Sequence, residues 1–285
     1  MFNPTLARAA ALVFASMLMI VTGDTAGKLL AADGVHPFFI AWTRFVLGAV
    51  MVLPFCGLTR ANWRDVGDWR LALRAAIIAC AICSILTALK TEPIANVFGA
   101  FFIGPVVAYL LAAVLLGERL EWARTGLLGI GVIGVVLVVK PGFGATAGMG
   151  FALLAGTLYG CFLVSNRWLA PHVRPRLLLF SQLAFGAVLL TPLGLSVPVP
   201  GWHGVTAALI GLSALASAVG NFVMVLAARM APANHLAPFI YLQLIPATYV
   251  GWLVFGDWPD TLTMLGLVLV TGSGLATLTL VRRAG

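Results

Sequence analysis

Charge is what this sequence has least of. Asp, Glu, Lys and Arg together make up 9% of its 285 residues, against 61% hydrophobic residues and a mean hydropathy of +1.06. A chain of this size cannot bury so much apolar surface in one soluble core, so lipid has to be its solvent. Long polar stretches are missing as well. The longest connection, Gly57 to Arg70 with Asn62-Trp63-Arg64-Asp65, is too short for a soluble domain and leaves no room for a nucleotide-hydrolysing engine. Cysteine is scarce: Cys56, Cys80, Cys83 and Cys161 all fall in apolar stretches. Cys80-x-x-Cys83 has no His and no second pair nearby to complete a metal shell, so it reads as two packing residues, and neither metal nor cofactor is expected.

What is present is long uncharged segments. Ile94 to Gly117 contains 24 residues without Asp, Glu, Lys or Arg, opened by Pro93 and closed by Glu118. That is enough to cross a bilayer as a helix. The design returns from Pro232 to Asp257, about half a chain later. Shifts of 138 to 140 also pair Pro37 with Pro175, Arg44 with Gln182, Gly48 with Gly186, Pro54 with Pro192, Lys90 with Arg229, Gly126 with Gly266 and Gly134 with Gly274. Such a constant offset in order predicts one duplicated unit, residues 1–140 and 141–285.

Ten apolar segments are expected near 9–30, 37–57, 71–89, 94–117, 123–139, 148–168, 176–195, 205–228, 233–256 and 261–281. Arg8 ahead of an apolar run resembles a signal peptide, but no small-x-small cleavage site follows and the segment has a counterpart near 148–169, so it belongs to the fold. Five segments per half turn the second half over, which makes the repeats inverted. The fold class is therefore an all-α membrane protein of ten transmembrane helices. With the amino terminus inside, thirteen of the 17 basic residues fall on the inner side, Lys28, Lys90 and Lys140 on the outer side, and Arg44 within a segment. By the positive-inside rule both termini are cytoplasmic in an inner membrane, and the net charge of +8 is a topology signal rather than a nucleic-acid footprint.

Ten helices in two inverted halves, with Trp42-Thr43-Arg44-Phe45, Leu47-Gly48-Ala49, Leu53-Pro54 and Leu115-Leu116-Gly117-Glu118-Arg119-Leu120, resemble the drug/metabolite transporter superfamily, EamA type, over essentially the whole chain. Asp24-x-x-x-Lys28 followed by Arg44 is similar to the S-adenosylmethionine uptake carriers of that superfamily, while amino-acid and drug exporters share most of the remaining pattern. The second half departs from the family by carrying Asp257-Trp258-Pro259 where Gly-Glu-Arg is more usual.

Ionisable groups inside the membrane are the default functional candidates. At ~1.5 Å per residue, Asp24 and Arg44 both lie about 10 Å below the outer surface and can meet. The pair either fixes two helices or handles substrate or a proton. Lys28, one turn above Asp24, either joins it or snorkels to the interface. Tyr159 and Asn166 share a face of the sixth segment with Phe162, Asn221 lies on a face of the eighth with Ser213 and Ser217, and Tyr109 on a face of the fourth with Phe98, Phe101, Phe102 and Pro105. With Tyr241 and Gln243 these either line a cavity or pack as core. His235 reads as a helix-terminal group, and Pro54, Pro105, Pro192, Pro238 and Pro246 as kinks.

Gly129-x-Gly131-x-x-Gly134 spells a dinucleotide fingerprint, but inside a spanning segment it has no strand-to-helix turn to work from. With Gly126, Gly266, Gly272 and Gly274 it makes the fifth and tenth segments packing surfaces or a homodimer interface. An intramembrane enzyme would need a nucleophile with a base, or two aspartates. Ser273 has no helical His partner and Asp24 is the one deep carboxylate. A channel would prefer rings of like charge. The expectation is a secondary transporter of a small amino-acid-like zwitterionic or cationic metabolite, exporting or exchanging it by alternating access, with S-adenosylmethionine uptake as the alternative.

Overall fold

The computed structural model describes residues 4–55, 67–118, 120–142, 146–169, 171–201, 203–228, 230 and 239–283. His235, Pro238, Cys56 and the centre of the loop after Gly57 lie outside them. The described residues contain no strand. The helices are α1 (Pro4–Ala32), α2 (Pro37–Val52), α3 (Trp69–Thr91), α4 (Ile94–Phe101), α5 (Gly104–Leu116), α6 (Trp122–Val139), α7 (Ala147–Leu169), α8 (Pro175–Ser196), α9 (Gly204–Ala228), α10 (Leu244–Phe255) and α11 (Thr261–Arg283). Seven stretches, with Ile94–Leu116 counted as one, are long and apolar enough to cross a membrane; Pro37–Val52, Tyr241–Phe255 and Thr261–Thr277 are shorter apolar helices in the second, ninth and tenth places.

The packing has the symmetry expected of the repeat. α1 packs on α9 as α7 packs on α3, α2 on α9 as α8 on α3, while α2 with α8 and α6 with α11 are their own counterparts. Glycine makes these approaches possible. A Cβ on Gly134 would lie 2.7 Å from the Gly266 carbonyl oxygen, and one on Gly266 2.6 Å from that of Gly134, so this part of the small-residue face is used between α6 and α11 of one chain. Gly126, Gly129 and Gly272 have open space around their Cβ positions.

Irregular turns in the fourth and ninth segments matter for the site. The fourth segment breaks at Phe102 and Ile103, and α5 restarts at Gly104 with Pro105 in its first turn, where a missing N–H costs nothing. A Cβ on Gly104 would sit 2.7 Å from the Gly156 carbonyl oxygen, and one on Gly160 2.6 Å from that of Gly104. The break is therefore held against α7. The ninth segment has a 3-10 turn at the matching place, Tyr241–Gln243, before α10. α5 and α10 then end alike, on left-handed Gly117 (φ 69°) and Gly256 (φ 72°), each followed by a carboxylate. The prolines differ in effect. Pro54 lies in a 3-10 turn, Leu53–Phe55, that closes α2 at Val52 and shortens the predicted second segment, whereas Pro192 stays inside α8.

Candidate functional site

The irregular turns of the fourth and ninth segments meet through aromatic rings. Phe102 and Tyr241, one repeat apart, stack with centroids 4.7 Å apart and 22° between planes. Phe101, beside Phe102, lies 4.9 Å from Tyr159, which lies 6.0 Å from Phe162. A continuous ladder of rings thus runs from the second half's turn to α7. Gly274 of α11 makes room for it, because a Cβ there would fall 2.7 Å from Tyr241 Cδ1.

Several polar groups along this ladder have no hydrogen-bond partner among the described residues. The Tyr159 and Tyr241 hydroxyls and the Gln243 amide make none, although Gln243 is only 4% exposed. Elsewhere, Asn96 Oδ1 in α4 and Thr263 Oγ1 in α11 are buried without a partner among the described residues. Buried polar groups normally find a partner, which sets these side chains apart from the rest of the packing.

Beside this lies the node predicted from matched depth. Arg44 Nη1 donates to Asp24 Oδ1 at 2.6 Å, Nε to Ser213 Oγ at 2.6 Å and Nη2 to the Gly23 carbonyl at 2.5 Å. One guanidinium ties α1, α2 and α9 together. Lys28 does not join it. Its Nζ donates to the Glu92 carbonyl at 2.8 Å and pairs with Asp257 Oδ2 at 3.1 Å, 4.6 Å above the Phe255 ring. Asp257, the family departure, thus has a partner.

At the other end Arg167 pairs with Glu118 at 2.9 Å. A shift of 139 carries Lys28 onto Arg167 and Glu118 onto Asp257, so the same contact between helix ends occurs once at each end of the molecule. A further ion pair, Lys140 with Asp260, joins the ends of α6 and α11. Its hydrogen bond from Lys140 is the main cause that holds the Asp260 carboxyl below the usual carboxylate value.

Arg74, one of the thirteen basic residues assigned to the inner side, is buried in the structure. It is 4% exposed in α3, with Nε donating to Asn166 Oδ1, Nη1 to the Leu178 carbonyl at 2.8 Å and Nη2 to Gln182 Oε1 at 3.0 Å, its plane 4.7 Å over Phe162. The signal available was the repeat, since 74 falls on 213 and 182 on 44 within a residue. Asn166 is therefore at this node. Tyr109 is not brought to the ladder: its hydroxyl accepts from the Glu121 N–H at 2.8 Å and lies 3.1 Å from Thr125 Oγ1, which fastens the α5–α6 connection. Asn221 donates to the Ser217 carbonyl of its own helix at 2.8 Å.

A profile of the EamA-like transporter family matches residues 7–140 and again 146–279. The riboflavin transporter of Rhizobium johnstonii is 28% identical over 273 residues, 91% of this chain and 85% of that protein. An S-adenosylmethionine uptake transporter of Rickettsia prowazekii is 23% identical over 262 residues, 89% and 87% of the two chains. An uncharacterized transporter of Archaeoglobus fulgidus is 26% identical over 261 residues, 91% and 90%. One crystal structure superposes with a TM-score of 0.68 over 98% of this chain and 99% of that one at 18% identity, a likeness of fold.

Proposed function

The chain belongs to the EamA-like transporter family, and from that premise we propose that it is a secondary transporter that carries a small zwitterionic or cationic organic metabolite, an amino acid or related compound, by alternating access. It is a multi-pass membrane transporter and not an enzyme. The observation that carries the substrate reading is the ring ladder where the turns of the fourth and ninth segments meet, with the unpartnered hydroxyls and amide beside it. Inverted-repeat carriers place their solute where discontinuous helices of the two halves face each other. Ring faces attract cations and amides pair with polar groups.

The two units, 1–140 and 141–285, are the moving halves. Lys28–Asp257 closes one end and Glu118–Arg167 the other, and their relation by the repeat supports a cycle in which each opens in turn. Asp24 is the residue to couple a proton, because it is the described carboxylate placed within a spanning helix away from its ends. Uptake of S-adenosylmethionine is the second reading, favoured by the rings offered to a cationic centre. A homodimer through α6 and α11 would rest on Gly126, Gly129 and Gly272, whose surroundings are open. The thirteen-to-three bias of basic residues supports an inner-membrane protein with cytoplasmic termini. In intact cells an impermeant thiol reagent should then reach a cysteine at Ala145 and spare one at Asn62; the reverse pattern means the opposite orientation.

The experiment for the substrate is a melting-temperature screen of the purified chain against amino acids, quaternary amines, riboflavin and S-adenosylmethionine, followed by uptake of the stabilising compound into proteoliposomes. A zwitterionic or cationic organic solute that stabilises and is taken up saturably supports the reading. A sugar phosphate as the best solute would contradict its electrostatic part.

A further inference from the structure

Among the described residues, Arg74 is a buried cation without a counter-charge. The ion pairs among the described residues are Lys28–Asp257, Arg44–Asp24, Lys140–Asp260 and Arg167–Glu118, and Arg74 is in none of them. Its partners are an amide oxygen from Asn166, a backbone carbonyl, an amide oxygen from Gln182 and a ring face, all neutral.

Comparison with the Arg44 node shows what is missing. Exchange of the halves carries Arg74 onto Ser213 and Gln182 onto Arg44, so both nodes join the same helix faces with the guanidinium on opposite members of the pair. The first node contains Asp24 as its carboxylate. The shift of 139 that relates Lys28 to Arg167 carries Asp24 onto Leu163, beside Phe162, whose ring lies under Arg74, so the second node has no carboxylate at that place. A full charge in a low-dielectric surrounding is costly when only dipoles face it, and an anion that arrives there gains what the protein has left unsupplied.

We propose that Arg74 anchors a carboxylate of the transported solute, which takes the acceptor positions on the guanidinium now filled by Asn166 and Gln182. The assignment rests on the transport reading given above. Amide side chains suit this exchange, because each offers an acceptor to the guanidinium when the site is empty and, after rotation, an N–H donor to the incoming carboxylate. Phe162 continues through Tyr159 to Phe101, so a solute held at Arg74 has a run of ring faces for its apolar part. Arg74 packs among α3, α7 and α8 and is shut off from the lipid face, which favours a solute carboxylate over a lipid phosphate.

The test compares phenylacetate, phenylacetamide and inorganic phosphate as probes of the melting temperature of the purified full-length chain at constant ionic strength. Phenylacetate should raise it by about 2 °C or more, phenylacetamide clearly less and phosphate not at all. Arg74→Gln should abolish the acid's advantage. Because that variant risks misfolding, Gln182→Glu is the second: a carboxylate fixed beside Arg74 should raise the melting temperature without ligand and weaken phenylacetate about tenfold or more. Equal shifts from acid and amide, no shift from either, a phosphate shift as large as the acid's, or an unweakened acid effect in Gln182→Glu would each overturn the proposal. Saturable transport of a solute without a carboxylate, unchanged by Gln182→Glu, would sink this assignment and leave the carrier standing; no transport of any solute would sink the carrier itself.

Discussion

Removing one member of a buried ion pair leaves a charge with nothing opposite it, and Asp24 and Arg44 are 4% and 7% exposed. Asp24→Asn or Arg44→Gln alone should each cost about 3–5 kcal/mol. The double variant should recover most of that loss, read as melting temperature in detergent. Additive losses would mean the two side chains do not act together. If transport returns along with stability the pair is structural; if folding returns without transport, it handles substrate or a proton. Asp260 gives a smaller, pH-dependent effect. Its carboxyl is held low by Lys140, so its stabilisation is present above the unfolded value and lost as pH falls through the folded one. Since the side chain is 58% exposed, the pair is worth within about 1 kcal/mol. Asp260→Asn can still accept the Thr263 N–H that now goes to Oδ1. Parent and variant should therefore differ slightly in melting temperature at neutral pH and converge in acid; a constant difference across pH would contradict the ion pair.

At the scale of elements, the glycines decide where helices can touch. Gly274→Ala should push the Tyr241 ring, costing about 1–3 kcal/mol by overpacking and raising the half-saturation concentration for transport. Gly272→Ala, two residues away with nothing near its Cβ position, should change neither. Equal effects from both would remove the ladder from the site. Much of this level was readable in advance. Uncharged runs of bilayer length give the segments, and the 138–140 offset predicts which helices are counterparts, because both follow from local composition and order. The meeting of Asp24 with Arg44 followed from depth along two adjacent helices. Lys28 and Asp257 are 229 residues apart, and depth alone does not say which helix ends touch. Arg74 lies near the start of α3, where sequence assigns it only to the inner side; that α7 and α8 cover it depends on packing the sequence does not state. Tyr109 shares a helical face with Phe101, but the restart of the helix at Gly104 separates what an unbroken helix would align.

For the whole molecule, we propose that two inverted halves close opposite ends with the related ion pairs Lys28–Asp257 and Arg167–Glu118 and expose one central site to each side in turn. Reversing one pair's charges, Lys28→Glu with Asp257→Lys, should restore transport lost in either single variant, since the contact at that end returns with opposite polarity. Failure of the double reversal to restore it would mean the closure does not depend on this pair. The most direct test of the central claim is counterflow of the solute chosen by the melting screen, with proteoliposomes preloaded with unlabelled solute and labelled solute added outside. An alternating-access carrier predicts a transient accumulation of label above equilibrium that saturates with outside concentration and leaves the solute chemically unchanged. Label that only equilibrates, without overshoot and in linear proportion to its concentration, would contradict the account.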